Sequence, residues 1–243
     1  MPETTTTPHV VVVGGGIAGL AAAAAVRRER PEVAVTVLES AADIGGKLAR
    51  AEVGGVTVDV GAEAMLNRRP EAVALARAAG LDADLVHPAT ISANLWSRGR
   101  LQPMPRTMMG VPLDARALAE SGVLSKPGLA RVALDGVLPA TRIEDRDVSI
   151  GWLVEERFGR EVVDRLVEPL LGGVYAGHAR ELSARAAVPQ VVALLERDRS
   201  MMRAAAAASS GPTSDVPVFA GIRGGVGRLP EAVAAASGAT VRT

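Results

Sequence analysis

Cysteine is absent from this sequence of 243 residues, so disulfide bonds and thiolate metal sites are excluded. Aromatic residues make up only 2% of the chain, which leaves no stacking surface for the bases of single-stranded nucleic acid. Neither sign of charge dominates, because 27 lysines and arginines balance 27 aspartates and glutamates. This balance argues against a general attraction to nucleic acid or to anionic membranes.

Targeting signals and long apolar segments are also lacking. The polar start MPETTTTPH carries no basic region ahead of an apolar segment, as a secretory signal would. No stretch reaches the roughly 18 to 20 apolar residues that a membrane-spanning helix requires. We therefore expect a soluble cytoplasmic protein, and we leave open both a peripheral membrane contact and the oligomeric state.

An apolar run near the start contains four glycines, and its order of residues separates into a strand, a turn and a helix. Residues His9–Val13 are mostly β-branched, as is typical of a buried parallel strand. The residues from Ala21 to Val26 favour a helix. The mostly basic residues before Pro31 suit its C-terminal end, where the helix dipole is negative. Residues 33–39 alternate in valine and predict a second strand. One continuous helix would carry four glycines in six residues, at about 1 kcal/mol each, so we reject it.

The glycines match the G-x-G-x-x-G pattern of a dinucleotide-binding turn. Gly14 permits a tight turn, Gly16 lets the backbone approach a diphosphate, and Gly19 lets the helix and strand pack closely. The N-terminus of the helix then offers its N–H groups to the phosphates. Glu39 lies twenty residues after Gly19, where an acid accepts hydrogen bonds from ribose hydroxyls. Strand, turn, helix and acid together predict dinucleotide binding.

The next segment differs from a nicotinamide dehydrogenase, which continues directly into another strand–helix–strand unit. A second glycine pair, Gly45 and Gly46, comes first, followed by a strand predicted over Val56–Val60. A helix is predicted from about Pro70 to Ala79, ended by Gly80.

The middle of the chain changes periodicity. An edge hairpin is predicted over residues 90–105, with Arg98 and Gly99 at its turn. From Gly110 to about Arg203 the pattern is helical, and glycine or proline separates the segments. Residues 209–215 are predicted to be an exposed linker.

These patterns predict an α/β fold. Residues 1–87 and 216–243 are expected to form a discontinuous domain with a Rossmann-like parallel sheet, into which a mostly helical insertion, residues 88–215, is set. We expect Trp96 and Trp152 to serve in packing.

Five segments resemble the porphyrinogen oxidases of the flavin amine-oxidase-like superfamily, and the resemblance runs essentially from end to end. The glycine-rich start, with its acid and its GGK triplet, is similar to the signature of the superfamily. Three more are similar to segments of the porphyrinogen oxidases: LQPMPRTMMGVP (101–112), GGVYAGHARELSARAAVPQV (172–191) and FAGIRGGVGRLPEAV (219–233). The Pro-Met-Pro segment and GAEAMLNRR are most similar to the bacterial coproporphyrinogen III oxidase (coproporphyrin-forming) branch, with protoporphyrinogen oxidase a near relative.

The resemblance implies noncovalent FAD and the oxidation of a porphyrinogen, coproporphyrinogen III to coproporphyrin III, with oxygen as acceptor, in haem biosynthesis. Because the flavin takes the hydride in this chemistry, we nominate no general acid or base. The scattered histidines have no metal-ligand spacing, so no metal site is expected. Three alternatives stay open: a protoporphyrinogen IX oxidase, another oxidoreductase of the superfamily, and a truncated remnant without catalysis.

The resemblance also implies site residues by position. Contacts with the cofactor are implied for two glycine turns, an acid and a segment along the flavin: Gly14, Gly15, Gly16, Ile17, Ala18, Gly19, Glu39, Ser40, Gly46, Lys47, Gly61, Ala62, Glu63 and Ala64. Arg68 and Arg69 are candidates for pairing with substrate propionates, a solvated helix start being the alternative. Gly173 is a candidate for giving a flat tetrapyrrole room at the backbone, a tight turn being the alternative.

Two departures from the family pattern limit these expectations. His178 stands where the family commonly has an aspartate, so no role is carried over to it. The chains of the family are also much longer, so we expect this sequence to be an N-terminal portion. Such a portion would lack strands of its parallel sheet, expose a sheet edge and bind FAD poorly.

Overall fold

The computed structural model of the chain describes residues 8–90, 92–211 and 216–243. These residues form two compact units. Residues 8–90 and 216–243 form the discontinuous unit, and residues 92–211 form the inserted unit.

The strands, in chain order, are β1 (His9–Val13), β2 (Ala34–Leu38), β3 (Arg50–Val53), β4 (Val56–Asp59), β5 (Met65–Leu66), β6 (Leu85–Val86), β7 (Asn94–Ser97), β8 (Arg100–Pro103), β9 (Thr107–Met108), β10 (Val111–Pro112), β11 (Phe219–Ile222) and β12 (Thr240–Arg242). The α-helices are α1 (Ile17–Glu29), α2 (Pro70–Ala78), α3 (Ala115–Glu120), α4 (Lys126–Ala133), α5 (Ile150–Phe158), α6 (Arg160–Val162), α7 (Gly173–Tyr175), α8 (Ala184–Ala187), α9 (Pro189–Val192), α10 (Met201–Ala208) and α11 (Leu229–Ser237). A π-helix spans Val163–Gly172.

The discontinuous unit is built on a parallel sheet with the strand order β1-β2-β12. Val35 and Val37 of β2 are buried in one apolar cluster with Leu20 of α1 and Val233 of α11. Residue Gly16 ends the turn between β1 and α1 and serves as the N-cap of the helix. The predicted strand–turn–helix–strand order and the parallel sheet are confirmed.

Antiparallel pairs complete the discontinuous unit. The strand predicted over Val56–Val60 is β4, and it pairs with β3, a strand that the sequence did not predict. A small sheet has the order β5-β11-β6. Helix α2 ends before Gly80, whose φ of +82° is the left-handed conformation expected after a helix.

The predicted hairpin of the inserted unit is β7–β8. Arg98 and Gly99 at its turn both have positive φ, as a tight two-residue hairpin turn requires. Leu95 packs against the core, but its neighbour Trp96 is 73% exposed. The prediction for Trp96 is wrong because successive strand residues face opposite sides, and the side of Trp96 is open. Trp152 packs against the core as expected.

Helices dominate the rest of the inserted unit, as predicted, and a buried ion pair joins three of its segments. The guanidinium of Arg157 on α5 lies 2.6 Å from Asp135 Oδ1, and both side chains are 2% exposed. Asp135 also accepts hydrogen bonds from Ser200 Oγ and from the N–H groups of Met201 and Met202 at the start of α10. The buried charges are therefore fully hydrogen-bonded, which offsets much of their desolvation cost.

Two sequence-based expectations extend beyond the described chain. Of the linker predicted over residues 209–215, residues 212–215 lie outside the described residues, as do residues 1–7 of the polar start. Among the helices that the structure describes, none has the length and apolar character needed to cross a bilayer.

Candidate functional site

The first glycine turn joins the carboxyl end of β1 to the start of α1. Gly14 has a φ of +106°, a backbone conformation that residues other than glycine rarely adopt. Its N–H donates to the Leu38 carbonyl at 2.7 Å. A Cβ on Gly19 would overlap the carbonyl oxygen of Gly14. The first and third glycines of the pattern are thus required by the backbone path itself.

The space beside Gly16 is open. A Cβ placed on this residue would meet no atom within 4 Å, and no side chain caps the helix that starts here. The first N–H groups of an α-helix have no partner within the helix, and the helix dipole makes this end positive. An uncapped turn of this kind fits a diphosphate, which would accept from those N–H groups.

The Glu39 carboxylate lies at one side of this turn. Its Oε2 accepts the Gly15 N–H at 2.7 Å, and its Oε1 accepts the Ala41 N–H at 2.9 Å and the Ser40 hydroxyl at 3.3 Å. The N–H of Ala41, followed by that of Gly15, holds the pKa of Glu39 below its usual value. The carboxylate is therefore ionised at neutral pH, and it retains lone pairs for further donors such as ribose hydroxyls.

Backbone hydrogen bonds bring the other predicted cofactor segments to this turn. The Gly45 N–H donates to the Gly15 carbonyl at 2.8 Å, and the Ala62 N–H donates to the Lys47 carbonyl at 2.9 Å. A Cβ on Gly61 would overlap that same Lys47 carbonyl. The first turn, residues 45–47 and residues 61–64 therefore form one connected surface. Their contact with a cofactor stays a prediction.

A second glycine turn precedes α11, and an acid of the protein fills it. Asp59 Oδ2 accepts the Val226 N–H at 2.7 Å, and its Oδ1 accepts the Gly227 N–H at 2.9 Å. Gly225 has a φ of +103°, and a Cβ there would lie 2.7 Å from Asp59 Oδ1. Sequence reasoning missed Asp59. The available signal was an acid at the end of a strand, the same position that drew attention to Glu39.

An open pocket with a volume of about 580 Å³ borders both Gly46 and Gly227. One wall holds an ion pair in which Arg50 Nη2 lies 3.0 Å from both carboxylate oxygens of Glu231. Arg50 was not predicted as a site residue. Its charge is already balanced by Glu231, so the pocket presents no free cation at this wall.

Arg68 and Arg69 are exposed and lie between β5 and α2. Arg69 is the N-cap residue of α2, and its N–H donates to the Leu66 carbonyl at 3.1 Å. Within the described ranges, neither guanidinium takes part in a hydrogen bond or ion pair. Both charges are available to an external carboxylate.

Gly173 lies in the inserted unit, directly after the π-helix. A Cβ on this residue would meet no atom within 4 Å. Two hydrogen bonds fix the segment around Gly173. The Tyr175 hydroxyl donates to the Ala187 carbonyl at 2.6 Å, and His178 Nδ1 lies 2.9 Å from Glu168 Oε1. The hydrogen bond to Glu168 raises the pKa of His178. No neighbour fills the space that was predicted to receive a flat ligand.

Comparison with known proteins gives a consistent result. The model of the family "flavin containing amine oxidoreductase" matches residues 17–243. Coproporphyrinogen III oxidase from Mycobacterium tuberculosis (strain ATCC 25618 / H37Rv) is 38% identical over 195 residues, which are 80% of this chain and 43% of that protein. The protein of the same name from Bacillus subtilis (strain 168) is 36% identical over 178 residues, 73% of this chain and 38% of that protein. The chain therefore spans less than half the length of these curated relatives.

Solved structures agree on the fold. A protein from Exiguobacterium sp. 255-15, regarded as a protoporphyrinogen oxidase, superposes with a TM-score of 0.82 at 31% identity, over 98% of this chain and 52% of that one. Putrescine oxidase bound to putrescine gives a TM-score of 0.59 at 21% identity, over 97% of this chain and 51% of that one. The second likeness concerns the fold alone.

Proposed function

Because the chain belongs to the flavin containing amine oxidoreductase family, we propose that it binds FAD and serves in the oxidation of coproporphyrinogen III to coproporphyrin III, with oxygen as electron acceptor. The observation that carries the proposal is the open, uncapped turn at Gly16 in a chain similar to proteins named coproporphyrinogen III oxidase.

The discontinuous unit is proposed as the FAD-binding domain. The N–H groups from Gly16 to Gly19 would hold the diphosphate, where the positive end of α1 stabilises negative charge. Glu39 and Ser40 would meet the adenosine ribose. Gly46, Lys47 and the segment Gly61–Ala64 would lie along the flavin side. When bound, the flavin supplies the two-electron acceptor that the reaction requires.

The substrate carries acidic groups on a flat, apolar ring, and the proposed contacts match both properties. Arg68 and Arg69 offer unpaired guanidinium groups, which bind carboxylates in a two-pronged geometry. Gly173 offers open space beside its backbone, where the edge of a ring system can approach. No side chain is assigned to proton transfer.

The deciding experiment incubates purified protein with FAD and coproporphyrinogen III in air and follows porphyrin fluorescence. We expect a rate above the spontaneous oxidation, and a lower rate with protoporphyrinogen IX, which carries fewer carboxylates. With flavin shown to be bound, a rate equal to the spontaneous one would contradict the proposed activity.

A variant tests the proposed substrate contacts. Replacing Arg68 and Arg69 together with glutamine is expected to raise KM for coproporphyrinogen III about tenfold or more, because charged hydrogen bonds are lost, with little change in kcat. Arg77→Gln, on the adjoining helix α2 and paired with Asp82, is the matched control and should leave KM unchanged. An unchanged KM in the double variant would mean that both arginines form a solvated helix start and do not contact the substrate.

A further inference from the structure

Glu168 joins the two ends of the segment around Gly173. It lies on the π-helix, and its Oε2 accepts the Ala179 N–H at 2.8 Å. Its Oε1 lies 2.9 Å from His178 Nδ1. One carboxylate before the segment therefore contacts two residues after it. We call residues 173–177, which lie between these contacts, the Gly173 loop.

The Gly173 loop has a strained backbone. Ala176 has a φ of +50°, in the left-handed region that residues other than glycine rarely adopt. Gly172, directly before the loop, lies so near its other end that a Cβ on Gly172 would be 3.3 Å from the Gly177 carbonyl oxygen. Strain of this kind persists only where surrounding contacts fix it, and it is common at ligand sites. The hydrogen bonds of Glu168 and of the Tyr175 hydroxyl supply such contacts.

The residues after the loop are fixed to helix α5. The Gly151 N–H of this helix donates to the Ala179 carbonyl at 2.7 Å. A Cβ on Gly151 would lie 2.8 Å from the Arg180 Cα, so the two backbones are in direct contact. Glu168 therefore ties the π-helix to a fixed point, and the loop between the two is held at both ends.

The loop presents apolar groups and open backbone to the outside. A Cβ on Gly173 would meet no atom within 4 Å, and the neighbouring Val174 and Tyr175 are both exposed. Residues 172–177 include no charged side chain. This surface therefore suits a flat apolar ring better than an ion.

The charges around His178 favour its protonated form. The hydrogen bond to Glu168, followed by the negative charges of Glu168 and Glu181, raises the pKa of His178. The hydrogen bond with His178 lowers the pKa of Glu168 against the cost of its desolvation, and the Ala179 N–H adds to this effect. The other charged groups of this network lie on neighbouring elements: Glu155 on α5, Asp164 on the π-helix, and Arg180 on the turn after the loop.

The strength of this pair depends on pH. The contribution of His178 to stability is complete below its ordinary pKa of 6.5 and is lost as the pH rises through the raised pKa. The contribution of Glu168 is complete above its ordinary pKa of 4.5 and is lost as the pH falls through the lowered pKa. The pair therefore holds the loop most firmly between pH 4.5 and 6.5, and less firmly at higher pH.

We propose that Glu168 and His178 are positioning residues, which hold the Gly173 loop in the conformation that binds a flat tetrapyrrole and hold it more firmly when His178 is protonated. Both act through the backbone of the loop, and neither needs to contact the ligand. The inference takes its ligand from the proposed function, whereas the role of the pair rests on the contacts within the loop. An aspartate at position 178 would place no cation beside Glu168, so the pH response is expected for the histidine of this chain.

Amide exchange tests the pair without any ligand. Glu168→Gln keeps an oxygen for the Ala179 N–H but removes the charge that faces His178. At about pH 6 we expect the protection factors of the amides in the Gly173 loop to fall about threefold in this variant, as for the loss of an exposed ion pair. Glu181→Gln is the matched control, because it removes a charge near His178 that acts through space alone, and it should change these factors little. Equal protection in the wild type and both variants would overturn the proposal.

Binding of coproporphyrin III, followed by quenching of its fluorescence, tests the link to the ligand and needs neither flavin nor oxygen. His178→Lys keeps a cation at this position at all the pH values used, so it provides the reference for any titration of the ligand itself. We expect wild type and His178→Lys to have equal Kd at about pH 6, and the wild type to bind about threefold more weakly at about pH 8.5. His178→Gln should bind about threefold more weakly than His178→Lys at both pH values. The control His87→Gln, in the discontinuous unit, should keep the wild-type profile.

Two binding results would overturn the proposal: a ratio of wild-type to His178→Lys Kd that does not change with pH, or a Kd of His178→Gln equal to that of the wild type at the lower pH. Should the wild type bind no porphyrin at either pH, the ligand falls together with the proposed function. Amide exchange still decides the role of the pair in that case, so the two failures are distinguishable.

Discussion

The two turns of the discontinuous unit that lead into α1 and α11 are both rich in glycine but differ in what faces their N–H groups. The first, at Gly14–Gly19, opens α1 with no side-chain cap. The second, at residues 224–227, leads into α11, and the carboxylate of Asp59 accepts two of its N–H groups. A helix start is therefore an anion site only when no acid of the protein already fills it.

The two turns differ because Glu39 and Asp59 bind different numbers of their N–H groups. Glu39 bonds to a single N–H of the first turn, at Gly15, and lies to one side of the open space. Asp59 is shorter by one methylene, and it ends its strand pointing at the N–H groups of Val226 and Gly227. The same kind of residue at the end of a strand thus serves as a candidate ribose ligand in one turn and as an internal cap in the other.

Gly19→Ala should give the largest effect, since it tests the packing of the first turn. The added Cβ would overlap the Gly14 carbonyl oxygen, and a backbone atom cannot move aside as a flexible side chain can. We expect a loss of about 3 kcal/mol in the free energy of unfolding, measured by denaturant titration, and no detectable FAD binding. An unfolding free energy equal to that of the wild type would show that α1 can shift away from β1.

Asp59→Ala should rank second and tests the filled turn. Two N–H groups would lose a charged acceptor, so we expect a loss of about 2 kcal/mol in the free energy of unfolding. Phosphate added at millimolar concentration should restore part of the lost Tm in this variant, because the emptied helix start can then bind an anion. If phosphate raises the Tm of wild type and variant equally, Asp59 does not occupy an anion position.

The structure of the first turn could largely be predicted from the sequence, whereas that of the second turn could not. The first turn follows local rules: β-branched residues before it, glycines of fixed spacing, and alanines after it. These rules act within about twenty residues of sequence, as between Gly19 and Glu39. The second turn depends on Asp59, which is 167 residues away from Val226. No local pattern reports such a contact, because most of the chain between these two residues forms the inserted unit.

The same distinction applies to the rest of the fold. The hairpin turn at Arg98 and Gly99 and the stop at Gly80 follow local backbone preferences and were predicted. The side of the hairpin that faces solvent depends on neighbouring elements, and the prediction for Trp96 failed there. The buried pair of Arg157 and Asp135 joins residues 22 apart, and charged residues give no apolar periodicity by which burial is recognised.

Gly16→Ala should give a smaller effect than the first two variants but separates binding from folding. Its added methyl group would meet no atom of the protein, and its φ of −72° suits any residue, so we expect Tm to change by no more than about 2 °C. The methyl group would enter the space assigned to the diphosphate, so FAD affinity should fall about tenfold or more. The measurement is a flavin fluorescence titration, and unchanged affinity would place the diphosphate elsewhere.

Glu39→Gln should give the smallest effect and tests the acid that distinguishes the open turn. Glutamine keeps the shape but presents an NH₂ group to one of the two backbone N–H donors, so FAD affinity should fall several-fold while the fold is retained.

The same variant tests the pH dependence of stability. Because the pKa of Glu39 is lowered in the folded chain, its ionised form stabilises the protein at pH values above the ordinary glutamate pKa of 4.5. The difference in Tm between wild type and variant should therefore be constant above that pH and disappear as the pH falls through the lowered pKa. Glu29→Gln, at the far end of α1, is the matched control; a similar pH profile in that variant would remove the assignment to Glu39.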